Sequence, residues 1–184
     1  MKYWSKSALL IYKYLEKMTN TVDKLIMDIG KHSNSHVMQK NQTTYGQASK
    51  IIEYLDRKRK MINLKVAVEE SLAKLNRTDR RILALVFIDG VKSDMVAQFL
   101  GVSLRTFFRK KIEALANFNT QMIANGFDLN FFNNEYACEK WILAVYNECL
   151  SKLLTEEENI NFVVVKRLMN EISQVKINSN CYGC

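Results

Sequence analysis

Apolar residues recur at spacings of three and four along most of the chain. Over residues 8–29 they are Leu9, Tyr12, Leu15, Met18, Val22, Leu25, Ile26 and Ile29, with lysines between them, which is the period of one helical face. Thr21 is placed to cap a second piece of that helix at Val22, and Gly30 is a natural stop. Residues 31–46 are polar and aperiodic and read as a loop, long enough to have a job of its own. From Gln47 to Leu75 the helical period returns in Ile51, Ile52, Leu55, Met61, Ile62, Leu64, Val68, Leu72 and Leu75. The last third predicts two more helices. One runs near Glu135–Leu154 on Trp141, Val145, Cys149 and Leu153. The other, capped by Thr155, runs on Phe162, Val165, Leu168, Met169 and Ile172.

Between them, residues 76–118 are punctuated most sharply. Thr78 is a good cap for a helix carrying Ile82, Leu85 and Val86, which Asp89-Gly90 ends. Ser93 caps a short helix to Leu100, Gly101 breaks it, and Ser103 caps the next. That last helix places Leu104, Phe108, Ile112 and Leu115 inward with Phe107 beside them, and continues to about Asn125-Gly126. Helices joined by a glycine-containing turn of three to four residues predict a helix-turn-helix. Val96, Ala97, Leu100, Gly101, Val102 and Phe107 would form its core. Ala97 is the small residue where the helices cross, and Gly101 is the turn.

Composition agrees with a helical reading. The chain has 184 residues, no proline and six glycines, too few turn formers for a β-sandwich or barrel. The predicted fold class is all-α, a helical bundle containing the helix-turn-helix, flanked by N- and C-terminal helices. Three regions follow: 1–60, basic and helical with the polar loop at 31–46; 61–118, the helix-turn-helix domain; and 119–184, acidic and helical.

Charge sharpens this division. Residues 1–118 carry 22 basic and 11 acidic side chains, and residues 119–184 carry 5 and 8, within a total of +8. A basic region points to a polyanion, with lysine-driven solubility as the alternative. Arg57-Lys58-Arg59-Lys60 reads either as a solvated helix turn or as a phosphate-contacting patch. With the apolar positions turned inward, Arg105 and Arg109 share the outer face of the second motif helix, flanked by Thr106 and Lys110. Arginine pairs bidentately with guanine and threonine meets the thymine methyl, so Arg105, Thr106 and Arg109 are the candidate base contacts. Lys92, Lys110 and Lys111, with the helix starts at Ser93 and Ser103, are the candidate phosphate contacts.

Residues from about Asn63 to Leu115 resemble region 4 of the sigma-70 family of bacterial RNA polymerase sigma factors. Val68-Glu69-Glu70-Ser71-Leu72-Ala73-Lys74-Leu75 fills the leading helix, and Arg80-Arg81-Ile82-Leu83-Ala84-Leu85 the arginine-rich one. Val96-Ala97-Gln98-Phe99-Leu100-Gly101-Val102-Ser103 with Arg105-Thr106-Phe107 fills the helix-turn-helix. Met95 stands where the family usually has Glu, Arg77-Thr78 replaces the usual proline, and region 2 has no counterpart. The resemblance therefore implies a small stand-alone region-4-like regulator of Gram-positive bacteria or their phages. Such a protein binds double-stranded DNA near RNA polymerase core or another transcription protein. A helical protein-interaction module that keeps the motif as scaffold is the alternative. Oligomeric state is not set by any of these features.

Other chemistry is thinly represented. His32 and His36 (H-x3-H) and Cys181 and Cys184 (C-x-x-C) sit at opposite ends of the chain without the spacing of a zinc finger, so no metal and no cofactor is expected. Cys138 and Cys149 fall in helical stretches and are expected in the core. Phe127, Leu129, Phe131, Phe132 and Trp141 are expected to pack against the N-terminal helices, with a protein-binding surface as the other reading. No phosphate loop, nucleophile elbow or carboxylate–histidine pair is present, so no enzymatic role is expected. The apolar run Ala8–Tyr12 is too short for a signal sequence, and no run reaches the roughly 18 residues of a membrane span. The expected location is cytoplasmic and nucleoid-associated.

Overall fold

In a computed structural model, residues 3–32 and 44–151 are described, and all their regular elements are helical. The order is α1 (Tyr3–His32), α2 (Thr44–Ala73), α3 (Arg77–Leu83) with a π-helical turn (Ala84–Ile88), α4 (Ser93–Phe99), α5 (Leu104–Ala124), α6 (Leu129–Glu135) and α7 (Lys140–Ser151). The all-α expectation holds. The helix from Thr155, His36, Leu153, Cys181 and Cys184 lie outside the described residues.

The chain divides into two compact units, Met1–Tyr12 with Ala67–Cys184, and Lys13–Val66. A boundary at 60/61 thus falls inside α2, which runs unbroken through Arg57–Lys60. Nor does α1 break at Thr21 or stop at Gly30. The Thr21 hydroxyl donates back to the Lys17 carbonyl (2.9 Å), a bond that continues a helix instead of capping one.

In the larger unit the first helix segment is buried on nearly every side, at Trp4, Ser5, Ser7, Ala8, Leu9, Leu10 and Ile11. A helix apolar all round belongs in a core. The Ser7 hydroxyl removes its own burial cost by donating to the Trp4 carbonyl (2.7 Å). Trp4 meets Phe132 with ring centres 5.9 Å apart, and Phe132 also meets Tyr136 (5.2 Å) and Tyr146 (5.9 Å). Of the expected aromatic group, Phe132 therefore packs against the N-terminal helix, whereas Phe127 meets Phe131 instead and Phe131 and Leu129 are left at the surface. Part of it forms a helix of its own, α6, whose start is fixed by Asp128 accepting from the Phe131 N–H (2.7 Å). Helix α7 buries Trp141, Ile142, Val145 and Cys149, but Cys138 precedes it and is exposed, contrary to its expected place in the core.

Two capping expectations are corrected. The cap of α3 is Asn76, not Thr78: its side chain accepts from the Asp79 N–H (2.8 Å) while its own backbone is extended. The cap of α4 is Lys92, which offers no side-chain bond, so Ser93 is already helical. Ser103 does cap α5, accepting from the Thr106 N–H (3.2 Å).

In the smaller unit, Asp23 meets Lys58 and Glu16 meets Lys65, so α1 and α2 run antiparallel there. Leu15, Val22, Met61 and Leu64 are buried between them. The apolar residues of α2 do not form one stripe. Ile52, Leu55 and Ile62, expected on the same face as Met61 and Leu64, are exposed.

Candidate functional site

The α4–turn–α5 segment is held from within. Ile82, Val96, Ala97 and Phe107 are buried together, with Leu85, Val86, Val91, Leu100, Val102 and Phe108 packed around them. Helices α3 and α4 both pack on α5. The turn is closed by two backbone bonds, Val102 N–H to the Ala97 carbonyl (3.1 Å) and Gly101 N–H to the Gln98 carbonyl (3.0 Å). This paired arrangement ends a helix in a left-handed residue. Gly101 takes φ +64, which costs a residue without a side chain nothing. Five of the six expected core residues, Val96, Ala97, Leu100, Val102 and Phe107, are thereby brought together, while Gly101 is exposed in the turn.

The inward face of α5 is rotated from the expected one. Phe107, Ala114, Leu115, Phe118 and Met122 are buried, whereas Leu104 is 46% and Ile112 is 53% exposed. Leu104 opens the helix, before the packing begins, and Ile112 lies on the side away from Phe107. The rotation keeps Arg105 and Arg109 outside: both are exposed, one turn apart, about 6 Å along the axis. Neither makes an ion pair to a described residue.

The other candidates are placed less uniformly. Thr106 is half-buried and its hydroxyl bonds the Ser103 hydroxyl (2.9 Å). Lys92 is exposed before α4, Ser93 is half-buried at its first position, and Lys110 is half-buried on α5. Lys111 is drawn the other way, with its ammonium 4.8 Å from the Phe108 ring centre. Arg105 and Arg109 thus share a face, and Lys111 is not on it.

Within the run Arg57–Lys60 on α2, Lys58, Arg59 and Lys60 are engaged by carboxylates. Lys58 donates to both oxygens of Asp23 (2.7 and 2.8 Å), and Arg59 (2.7 Å) and Lys60 (3.0 Å) reach Asp56. Burial pushes the Asp56 carboxyl up, but hydrogen bonds from Arg59 and Lys60 and their charges outweigh it, leaving the pKa lowered.

Sequence reasoning missed a polar junction below the motif. The Arg80 guanidinium donates to the carbonyls of Leu72 (2.9 Å), Ala73 (2.5 Å) and Leu75 (3.2 Å), satisfying the open end of α2. Arg81 stacks on Phe99, 4.2 Å from its ring centre. Asp79 is buried and accepts from the amides of Asn76 (2.9 Å) and Asn117 (2.7 Å), tying α3 to α5. A polar cleft of about 190 Å³ opens beside it, lined by Lys74, Asn76, Asn117, Thr120 and Gln121 among others. The signal for Arg80 lay in its position one turn into a helix that follows another helix's end. No signal marked Asn117, because its partner is 38 residues away. No group of three or more metal-ligating side chains occurs among the described residues. No described helix is long and apolar enough to cross a membrane.

Residues 34–119 match a family model described as Protein of unknown function (DUF1492). The match takes in α2, α3, α4 and most of α5, a little under half the chain. No curated protein and no solved structure matches the chain.

Proposed function

We propose that this chain is a sequence-specific DNA-binding transcription regulator built like region 4 of the sigma-70 family, with α5 entering the major groove. The observation that carries the reading is the outer stripe of α5. Arg105 and Arg109 stand exposed at the start of a long helix whose entry is locked by Ser103 and the Gly101 turn. The first turns of such a helix meet base edges, and arginine is the side chain that reads guanine bidentately. Thr106 spends its hydroxyl on Ser103, which leaves its methyl group for a thymine. Lys92, Lys110 and the helix starts at Ser93 and Ser103 supply phosphate contacts, and Lys111 does so only by leaving Phe108. RNA polymerase core or another transcription protein is the proposed neighbour, and the nucleoid the proposed location. No catalytic step and no cofactor are assigned.

A second reading has its own support. Met95, Phe99, Leu104 and Ile112 are 46–58% exposed on α4 and α5, an apolar surface suited to a helical protein-interaction module that keeps the motif as scaffold.

The test selects a preferred site from random double-stranded DNA with the full chain. Arg105→Ala and Arg109→Ala should each weaken binding to that site by about 1–3 kcal/mol and relax preference at one position. Thermal stability should move by no more than about 0.5 kcal/mol. Arginine variants that bind every DNA as the parent does would transfer the function to the apolar surface.

A further inference from the structure

Helix α2 carries a second apolar stripe, on the side away from Met61 and Leu64. Tyr45, Ala48, Ile52, Leu55, Arg59, Ile62 and Val66 follow one another at alternating spacings of three and four, the repeat of a coiled-coil seam. Every residue of the seam is exposed: Tyr45 by 83%, Ile52 by 64%, Leu55 by 51%, and Ile62 and Val66 by 43% each. The seam lies wholly within the unit Lys13–Val66 and spans about 32 Å of helix.

We propose that this face is where two copies of the chain meet, through an antiparallel pair of α2 helices. Two arguments select a second copy. The first is area. The exposed parts of the six residues that meet in such a pair, Tyr45, Ala48, Ile52, Leu55, Ile62 and the stem of Arg59, amount to roughly 550 Å² per copy, so a self-pair buries about 1,100 Å², past the ~1,000 Å² a specific interface needs. A self-complementary stripe is also what a two-fold dimer requires.

The second argument is charge, and it fixes direction. A parallel pair would place Arg59 against Arg59 in the middle of the seam. An antiparallel pair sets each first-type seam position against a second-type one. The layers become Tyr45 with Ile62, Ala48 with Arg59, and Ile52 with Leu55, each repeated by symmetry. Arg59 then faces the smallest residue of the seam, which leaves room for its stem to lie flat and its head to reach water. The flanking pairs are Ser49 with Asp56, Ile51 with Lys58 and Thr44 with Lys65, so no like charges oppose one another. The bonds from Arg59 to Asp56 stay within each helix and need not break.

Sedimentation velocity of the full chain, from about 1 to 100 μM, should show a reversible dimer. Leu55→Glu and Ile62→Glu should each raise its dissociation constant at least about 100-fold, because each would bury a carboxylate in the seam. Helical content should be unchanged, since both positions are exposed in one copy. Cysteine cross-linking gives an independent reading of direction, against the unsubstituted chain as control. A mixture of Tyr45→Cys and Ile62→Cys chains should form a mixed disulfide dimer, whereas either variant alone should not cross-link through the new cysteine. A monomer throughout the concentration range would overturn the proposal. So would a dimer indifferent to both glutamates, or cross-linking of Ile62→Cys with itself. None of these outcomes bears on DNA recognition, which is read from Arg105 and Arg109.

Discussion

Two helices of this molecule each carry four basic residues within two turns, and they come to different ends. On α2, Lys58 is gripped by Asp23, and Arg59 and Lys60 by Asp56. On α5, Arg105 and Arg109 face outward and form no ion pair with a described residue. In sequence the first run is the denser, and it reads either as a solvated helix turn or as a phosphate-contacting patch. In the fold it is the more neutralised. A charge cluster is therefore not a charged surface. Asp56 answers Arg59 and Lys60 within its own helix and Asp23 answers Lys58 from a packed one, whereas Glu113, one turn from Arg109, makes no ion pair with it; the partner on another helix is invisible along the chain.

The largest test of this contrast removes what holds α5 in place. Phe107 is fully buried at the crossing of α4 and α5. Phe107→Ala should destabilise the larger unit by about 3–5 kcal/mol in urea unfolding. It should also abolish any DNA binding, whereas an equal truncation at exposed Ile52 on α2 should leave stability nearly intact. Next comes the turn. A side chain at Gly101 meets no neighbouring atom, so Gly101→Ala isolates the conformational cost of φ +64, about 1–2 kcal/mol by thermal denaturation. A neutral result would mean that the turn is not held as described.

Smaller effects belong to the paired run on α2. A double-mutant cycle of Lys58→Ala and Asp23→Ala should return a coupling of about 0.2–1 kcal/mol, because both side chains are about one-third exposed. Lys58→Ala should lower DNA affinity less than Arg109→Ala does, and an equal loss would return α2 to the binding surface. The smallest effect is a titration. The Asp56 carboxyl is held below its ordinary value, so its contribution is present above the unfolded-state pKa near 4 and fades as pH falls through the lower folded value. Asp56→Asn should remove that acid-side slope, lowering stability slightly at pH 7 and leaving it unchanged at pH below the folded value.

Much of the architecture was legible along the chain. The helical period located α1, α2 and α5, and the motif core from Val96 to Phe107 assembled as its spacing implied. Ser103 and Gly101 declared themselves because capping and left-handed backbone are local physics, decided within four residues. The caps of α3 and α4 were misjudged for the same local reason: Asn76 and Thr78 compete, and only the extended backbone at Asn76 chooses between them. Lys92 caps α4 with no side-chain bond at all, which leaves nothing to read.

Periodicity determined that this chain is helical, because burying an apolar stripe requires residues three and four apart whatever the stripe meets. It could not say which of two stripes on α2 is covered, since both have the same spacing. That was decided by α1 docking against Met61 and Leu64, leaving Ile52, Leu55 and Ile62 to solvent. The rotation of α5 was decided in the same way, by the side of the helix on which Phe107, Phe118 and Met122 are buried. Partners distant in sequence, such as Asp79 with Asn117 and Asp23 with Lys58, exist only once helices pack, and they settle which polar groups remain available. Local propensity names the elements, while burial and pairing, which act between elements, determine the faces they show.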